Sequence, residues 1–161
     1  MSTETTIFYS PELRNQWPIP LIEHWSKAYP KLFDEDDIRN TRLQPTKHFN
    51  EWFAAIHLFE NHGVLSLIEK YVYANHHRKR EVLVKLLDHR QLDVLSEIRA
   101  KHHTQLPDLL VYAPDYSRFW FAEVKGPTDR LRKHQRDSHA DILRRLDVKV
   151  ELINVRVQPC V

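Results

Sequence analysis

Apolar positions change their period along this chain, and the changes mark out its elements. Over residues 46–62, Phe49, Trp52, Phe53, Ile56 and Phe59 recur at steps of three and four, the spacing of one helix face. Thr46 or Asn50 stands where a cap belongs, and Gly63 where a helix stops. Residues 64–71 alternate instead, Leu65 and Leu67 against Val64, Ser66 and Ile68, which predicts a strand. A basic link, 75–80, leads to two short helical segments, 81–87 and 92–99, and 101–105 reads as loop. Two β-prone runs, 106–112 and 119–125, flank Pro114-Asp115-Tyr116-Ser117. A helix over 130–146 follows, with Thr128 or Asp129 as its cap and Leu131, Gln135, Ser138, Ile142 and Leu146 on one side. The alternation of 148–157 closes the chain as a strand. The order α-β-α-α-β-β-α-β predicts an α/β sandwich, a short mixed central sheet flanked by helices.

Residues 1–46 stand apart, because they hold five of the nine prolines. Pro18, Pro20 and Pro30 bracket a short helix over 21–29, and Asp34-Glu35-Asp36-Asp37 is an acidic knot. The segment reads as an arm packed on the main body, 47–161, or on a second subunit.

Composition narrows the classes. With 161 residues, 42% hydrophobic and 29% charged, the chain suits one globular domain. No apolar run approaches the ~18 residues of a membrane span, and the first residues lack a charged stretch followed by an apolar one. A soluble intracellular protein, cytoplasmic or nucleoid-associated, is expected. The lone cysteine, Cys160, allows neither an internal disulfide nor a thiolate zinc cluster. Two glycines exclude a Gly-rich phosphate loop. A net charge of +2 diagnoses no nucleic-acid partner by itself, although it can conceal a basic face.

The two central runs carry the chemistry. Asp108, Glu123 and Lys125 interrupt apolar strands, where unpaired charge is costly. If residues 114–117 form a four-residue hairpin loop, with proline at the second position of a type I turn, Ala113 pairs with Arg118. Counting back sets Asp108 opposite Glu123, with Cβ atoms ~4.5–5.5 Å apart. Lys125 shares Glu123's face. Like charges so placed repel unless a cation lies between them. Oxygen ligands from Asp108, Glu123 and the Val124 carbonyl suit Mg²⁺ or Mn²⁺, and Lys125 could orient a water or neutralise a phosphate. Phosphodiester hydrolysis is the reaction this set fits.

Pro107-Asp108, a hairpin and Glu123-Val124-Lys125 together resemble the PD-(D/E)xK nuclease superfamily. The run from Glu123 through Gly126-Pro127-Thr128-Asp129-Arg130-Leu131-Arg132 to Gln135 resembles its VRR-NUC branch, which includes the nuclease domain of the Fanconi-associated nuclease and stand-alone nucleases. The motif-bearing part covers 106–157, with a looser match from about 47. The resemblance implies catalytic roles for Asp108, Glu123, Lys125 and Gln135, and an acid from the first core helix, placed at Glu51 with Glu60 and Glu69 as alternatives. It also implies a metal-dependent DNA endonuclease acting on branched or flapped DNA in repair or recombination, often as a homodimer. Many members have a tryptophan where Ser138 and His139 stand, and glycine is usual where Asp147 ends the helix.

Blander readings stand beside these. Arg130, Arg132, Lys133 and Arg136 lie where they could hold DNA phosphates, or they are one solvated helix face; for Arg144 and Arg145 the solvated face is preferred. His76-His77 and His102-His103 read as surface loop histidines rather than a second metal site. Tyr116, Phe119 and Trp120 read as packing residues rather than base-stacking ones. Two other functions share the fold: a nucleic-acid-binding module with weak catalysis, and a restriction-type nuclease.

Overall fold

A computed structural model describes residues 3–68, 71–72, 76–103 and 106–160. Its centre is a five-stranded mixed sheet in the order β1-β5-β4-β3-β2. The strands are β1 (Glu4–Tyr9), β2 (Leu65–Ile68), β3 (Leu109–Tyr112), β4 (Phe119–Lys125) and β5 (Val150–Val157). β2 and β4 run antiparallel to β3, whereas β4, β5 and β1 run parallel. The helices are α1 (Pro11–Asn15), α2 (Leu21–Ala28), α3 (Glu35–Leu43), α4 (Phe49–His62), α5 (His77–Leu86), α6 (His89–Lys101) and α7 (Lys133–Leu146). None is long and apolar enough to cross a membrane.

Side-chain alternation on β4 explains the layers. Its odd positions Glu123 and Lys125 meet Gln135 of α7, and a Cβ on Gly126 would lie 2.6 Å from the Asn50 amide of α4. Successive strand residues face opposite ways, so α4 covers one face and α7, packed on α6, the other. The α4 stripe is buried as its period requires, Trp52 at 0% and Phe49 at 1% exposure. Gly63 ends this helix at φ 66°, the left-handed conformation that glycine adopts without a Cβ clash. Asp147 ends α7 the same way at φ 55°, which explains why glycine suits that position; Asp is among the few residues that tolerate it.

The expected core order from 46 onward is present, and several boundaries move. α7 begins at Lys133, not 130, because Asp129 is occupied elsewhere: its Oδ2 accepts the Gly126 N–H at 3.1 Å. Neither it nor Thr128 caps the helix; Arg132 stands at the N-cap. Likewise His48, rather than Thr46 or Asn50, precedes α4. Residues 77–80 of the basic link are the start of α5, and Lys79 among them is fully buried, held by Asp36 at 2.8 Å and Asp37 at 2.6 Å. Arg78 joins the same knot, bonding Asp34 at 2.7 Å and the Tyr112 hydroxyl at 3.1 Å.

Residues 4–46 add β1 to the sheet edge and an aromatic layer to α4. Trp17, Trp25 and Phe33 pack on Phe49 and Trp52, the Phe33 and Trp52 rings stacking at 3.8 Å. Sequence pattern alone did not show β1, since only Ile7 of its six residues is buried.

Candidate active site

The hairpin forms with the counted register. Pro114 follows Ala113 in a turn closed by Tyr116 N–H to Ala113 C=O at 2.8 Å, and Ala113 N–H meets Arg118 C=O at 3.0 Å. Leu109 then pairs with Ala122, and one further step sets Asp108 opposite Glu123. That opposition falls at a non-hydrogen-bonded position, where antiparallel strands approach most closely. Both carboxylates also push the phenol of the buried Tyr71 well above its ordinary pKa, behind the larger effect of burial. One tyrosine therefore senses both acids.

Pro107 explains why the strand opens there. In this register it faces Val124 at a hydrogen-bonded position, yet proline has no N–H to offer the Val124 carbonyl. Its own carbonyl accepts from the Tyr71 hydroxyl at 2.9 Å. The Val124 N–H turns to Asp108 Oδ2 at 2.9 Å. Since N–H and C=O of one strand residue point to the same edge, the Val124 carbonyl opens toward Asp108.

Gln135 organises the other side. As the third residue of α7 it reaches back to cap the helix, its Oε1 accepting from Arg132 N–H at 2.9 Å. The same oxygen accepts from Lys125 Nζ at 3.1 Å, and Nε2 donates to Glu123 Oε1 at 2.9 Å. The amide has both an acceptor for the lysine and a donor for the carboxylate, which a carboxylate at this position would lack. Lys125 Nζ is 3.4 Å from Glu123 Oε1, and His139 Nε2 is 3.6 Å from Oε2. Glu123 is thus buried, at 3% exposure, among donors. His139 was missed as a site residue; its one signal was a histidine where a tryptophan is common.

Among the expected acids, Glu51 lies in the first turn of α4, beside the Asn50 that abuts Gly126. Glu60 lies nine residues on, ~13 Å further along the axis at 1.5 Å per residue, exposed and bonded by Tyr29 at 2.6 Å. Glu69 falls outside the described residues. Glu51, Asp108 and Glu123 do not close into one tight cluster; among the described residues the trio with ligand atoms within 4.8 Å is Asp34, Asp36 and His76. Ion pairs account for that trio, because Arg78 and Lys79 bond its two aspartates and the Arg78 N–H uses His76 Nδ1.

Arg130, Arg132, Lys133 and Arg136 are all exposed around the start of α7. Arg144 and Arg145, at its far end, pair with Asp141 at 3.0 Å and Glu97 at 2.5 Å, a structural use. The histidine reading needs correction. His102 is buried, its Nε2 donating to Asp141 Oδ2 at 2.7 Å, and His76 caps α5; His77 and His103 are exposed. Trp120 is buried, with Arg118 and Lys149 over its ring at 5.1 and 5.0 Å.

A Pro-Asp at a strand opening, a Glu-x-Lys on its partner and a helix amide between them define the PD-(D/E)xK class of nuclease sites. Within that class the chain belongs to the VRR-NUC family: the VRR-NUC domain matches residues 46–157. Among solved structures it is similar to paFAN1 bound to 2-nt 5′ flap DNA with a gap, and to the same protein bound to a 1-nt 5′ flap. Each likeness has 26% identity and a TM-score of 0.44, over 53% of this chain and 16% of that one. This chain thus spans about a sixth of those proteins. Comparison with curated proteins gives no match.

Proposed function

We propose that this VRR-NUC protein is a metal-dependent DNA endonuclease that hydrolyses phosphodiester bonds, with a preference for branched or flapped substrates. The observation that carries the reading is the set Asp108, Glu123, Lys125 and Gln135 assembled on one sheet face beside an exposed basic helix start. Asp108, Glu123 and the Val124 carbonyl form an all-oxygen donor set, which fits Mg²⁺ or Mn²⁺ better than a softer metal. When bound, such an ion supplies Lewis-acid stabilisation to the phosphate. Lys125 Nζ neutralises charge that grows on the phosphate oxygens, and Gln135 fixes the lysine and Glu123 relative to each other. Glu51 contributes the acid of the first core helix, from the end of α4 that adjoins the site. Arg130, Arg132, Lys133 and Arg136 hold the strand by its phosphates, a mode of binding that reads shape rather than sequence. A homodimer would address two strands with two such sites.

The test is a panel of labelled flap, splayed-arm, four-way-junction and linear DNA, incubated with Mg²⁺ or Mn²⁺ and with chelator. The parent should cut with metal and stop with chelator, and Asp108→Ala, Glu123→Ala or Lys125→Ala should abolish cutting. DNA binding without cutting by the parent would establish a binding module instead. Equal cleavage of every substrate would remove structure specificity.

A further inference from the structure

The parallel strands β4, β5 and β1 end side by side next to the site, and the last of them lies outside the family match. Ligands of open sheets gather beyond the carboxyl ends of parallel strands. The registers run Glu123↔Leu152↔Glu4 and Lys125↔Asn154↔Thr6, and then Arg156↔Phe8 one pair further on. Partners in register share a face, so Arg156 and Phe8 stand on the face of Glu123 and Lys125. They lie about two residues, or ~6.6 Å, beyond Lys125 along the strands.

β4 stops at Lys125 and the chain turns away at Gly126-Pro127, so no strand residue covers that ground on the β4 side. Arg156 is partly exposed, and its Nη1 donates to the Lys125 carbonyl at 3.1 Å. Its guanidinium is thereby tied to the backbone of a site residue. Phe8 is 48% exposed on an edge strand, while Ile7 and Tyr9 on either side turn to the α4 face. An aromatic ring left half in solvent in register with a fixed guanidinium offers a π-face and a cation side by side, two residues beyond the row of Lys125.

We propose that Phe8 and Arg156 form a platform for the unpaired strand of a DNA substrate, Phe8 stacking on a base next to the scissile phosphate and Arg156 holding the adjoining phosphate. The assignment rests on the nuclease reading above. It makes β1, which the VRR-NUC domain does not include, a specificity element of this chain.

Affinity for a splayed-arm DNA and for fully paired duplex of the same length is measured by fluorescence anisotropy in chelator, with the full chain. Phe8→Ala should lower the ratio of arm-bearing to paired affinity about tenfold, the factor of one lost base stack, and Phe8→Trp should restore it. Arg156→Gln should weaken binding of the arm and reduce its salt dependence by about one phosphate contact. Melting curves of each variant confirm the fold. If the parent prefers the arm and Phe8→Ala keeps that preference, the platform is wrong while the nuclease reading stands. If the parent binds no DNA of any form, both fall.

Discussion

Glu123 sits in a hydrogen-bonding frame that a single atom change can test. Gln135→Glu keeps the size of the side chain and its capping of Arg132 N–H, but replaces the donor to Glu123 with a like charge. Cleavage should fall about 10²-fold, the scale of losing one preorganised donor, with little change in melting temperature. Unaltered cleavage would remove Gln135 from the site. Asp141 makes a second residue-scale case, this one structural. Bonds from His102, Lys101 and Arg144 hold its carboxyl well below the usual range. Its folded pKa is depressed, so its stabilisation is present above the unfolded value of ~3.9 and is lost as pH falls through the lower folded value. Asp141→Asn should therefore cost about 1.5–3 kcal/mol at pH 7, mostly through the buried His102 contact. The gap from the parent in thermal unfolding should narrow steadily below pH ~4.

At the scale of elements, sequence legibility followed local physics. The α4 stripe, the hairpin and β5 were readable because apolar period and turn chemistry decide them nearby in the chain. The Asp108–Glu123 opposition needed only that hairpin count. What escaped reading depends on distant partners. β1 exists because β5 offers an edge, and Lys79 is buried because α3 brings Asp36 and Asp37 to it. Nothing in His76-His77-Arg78-Lys79-Arg80 distinguishes the buried lysine from the exposed His77 and Arg80. The helix start at Lys133 escaped because Gln135 caps it by reaching back, while the nearer Asp129 binds Gly126. The acidic knot and α5 thus act as a clasp between the N-terminal segment and the sheet. Lys79→Ala would leave Asp37 buried without its cation and should cost about 3–5 kcal/mol. Combining it with Asp37→Asn should recover part of that loss, as coupled partners do. Urea unfolding of the two variants measures both; a loss below ~1 kcal/mol for the single change would deny the clasp.

For the whole molecule, a net charge of +2 gives little long-range attraction to DNA, so binding must depend on where cations cluster. Both ends of α7 carry arginines, and the fold treats them differently. At the far end Asp141 and Glu97 pair with Arg144 and Arg145. At the near end Arg130 and Arg132 are exposed in the lead-in to the helix, and exposed Arg136 donates to the Leu131 carbonyl, a neutral acceptor that leaves its charge in place. Each phosphate neutralised contributes about 0.9 to the slope of log affinity against log salt. Replacing Arg130 and Arg132 together with alanine should lower that slope by about 2, and should weaken binding alike for flap and linear DNA, because phosphate contacts carry no sequence. Replacing Arg144 and Arg145 should leave the slope near the parent's and instead lower stability, since those side chains tie α7 to itself and to α6. Anisotropy titrations at several salt concentrations, in chelator to prevent cutting, distinguish the two ends. A slope that fell with the far pair and not with the near one would move the DNA to the other end of α7, away from Asp108 and Glu123.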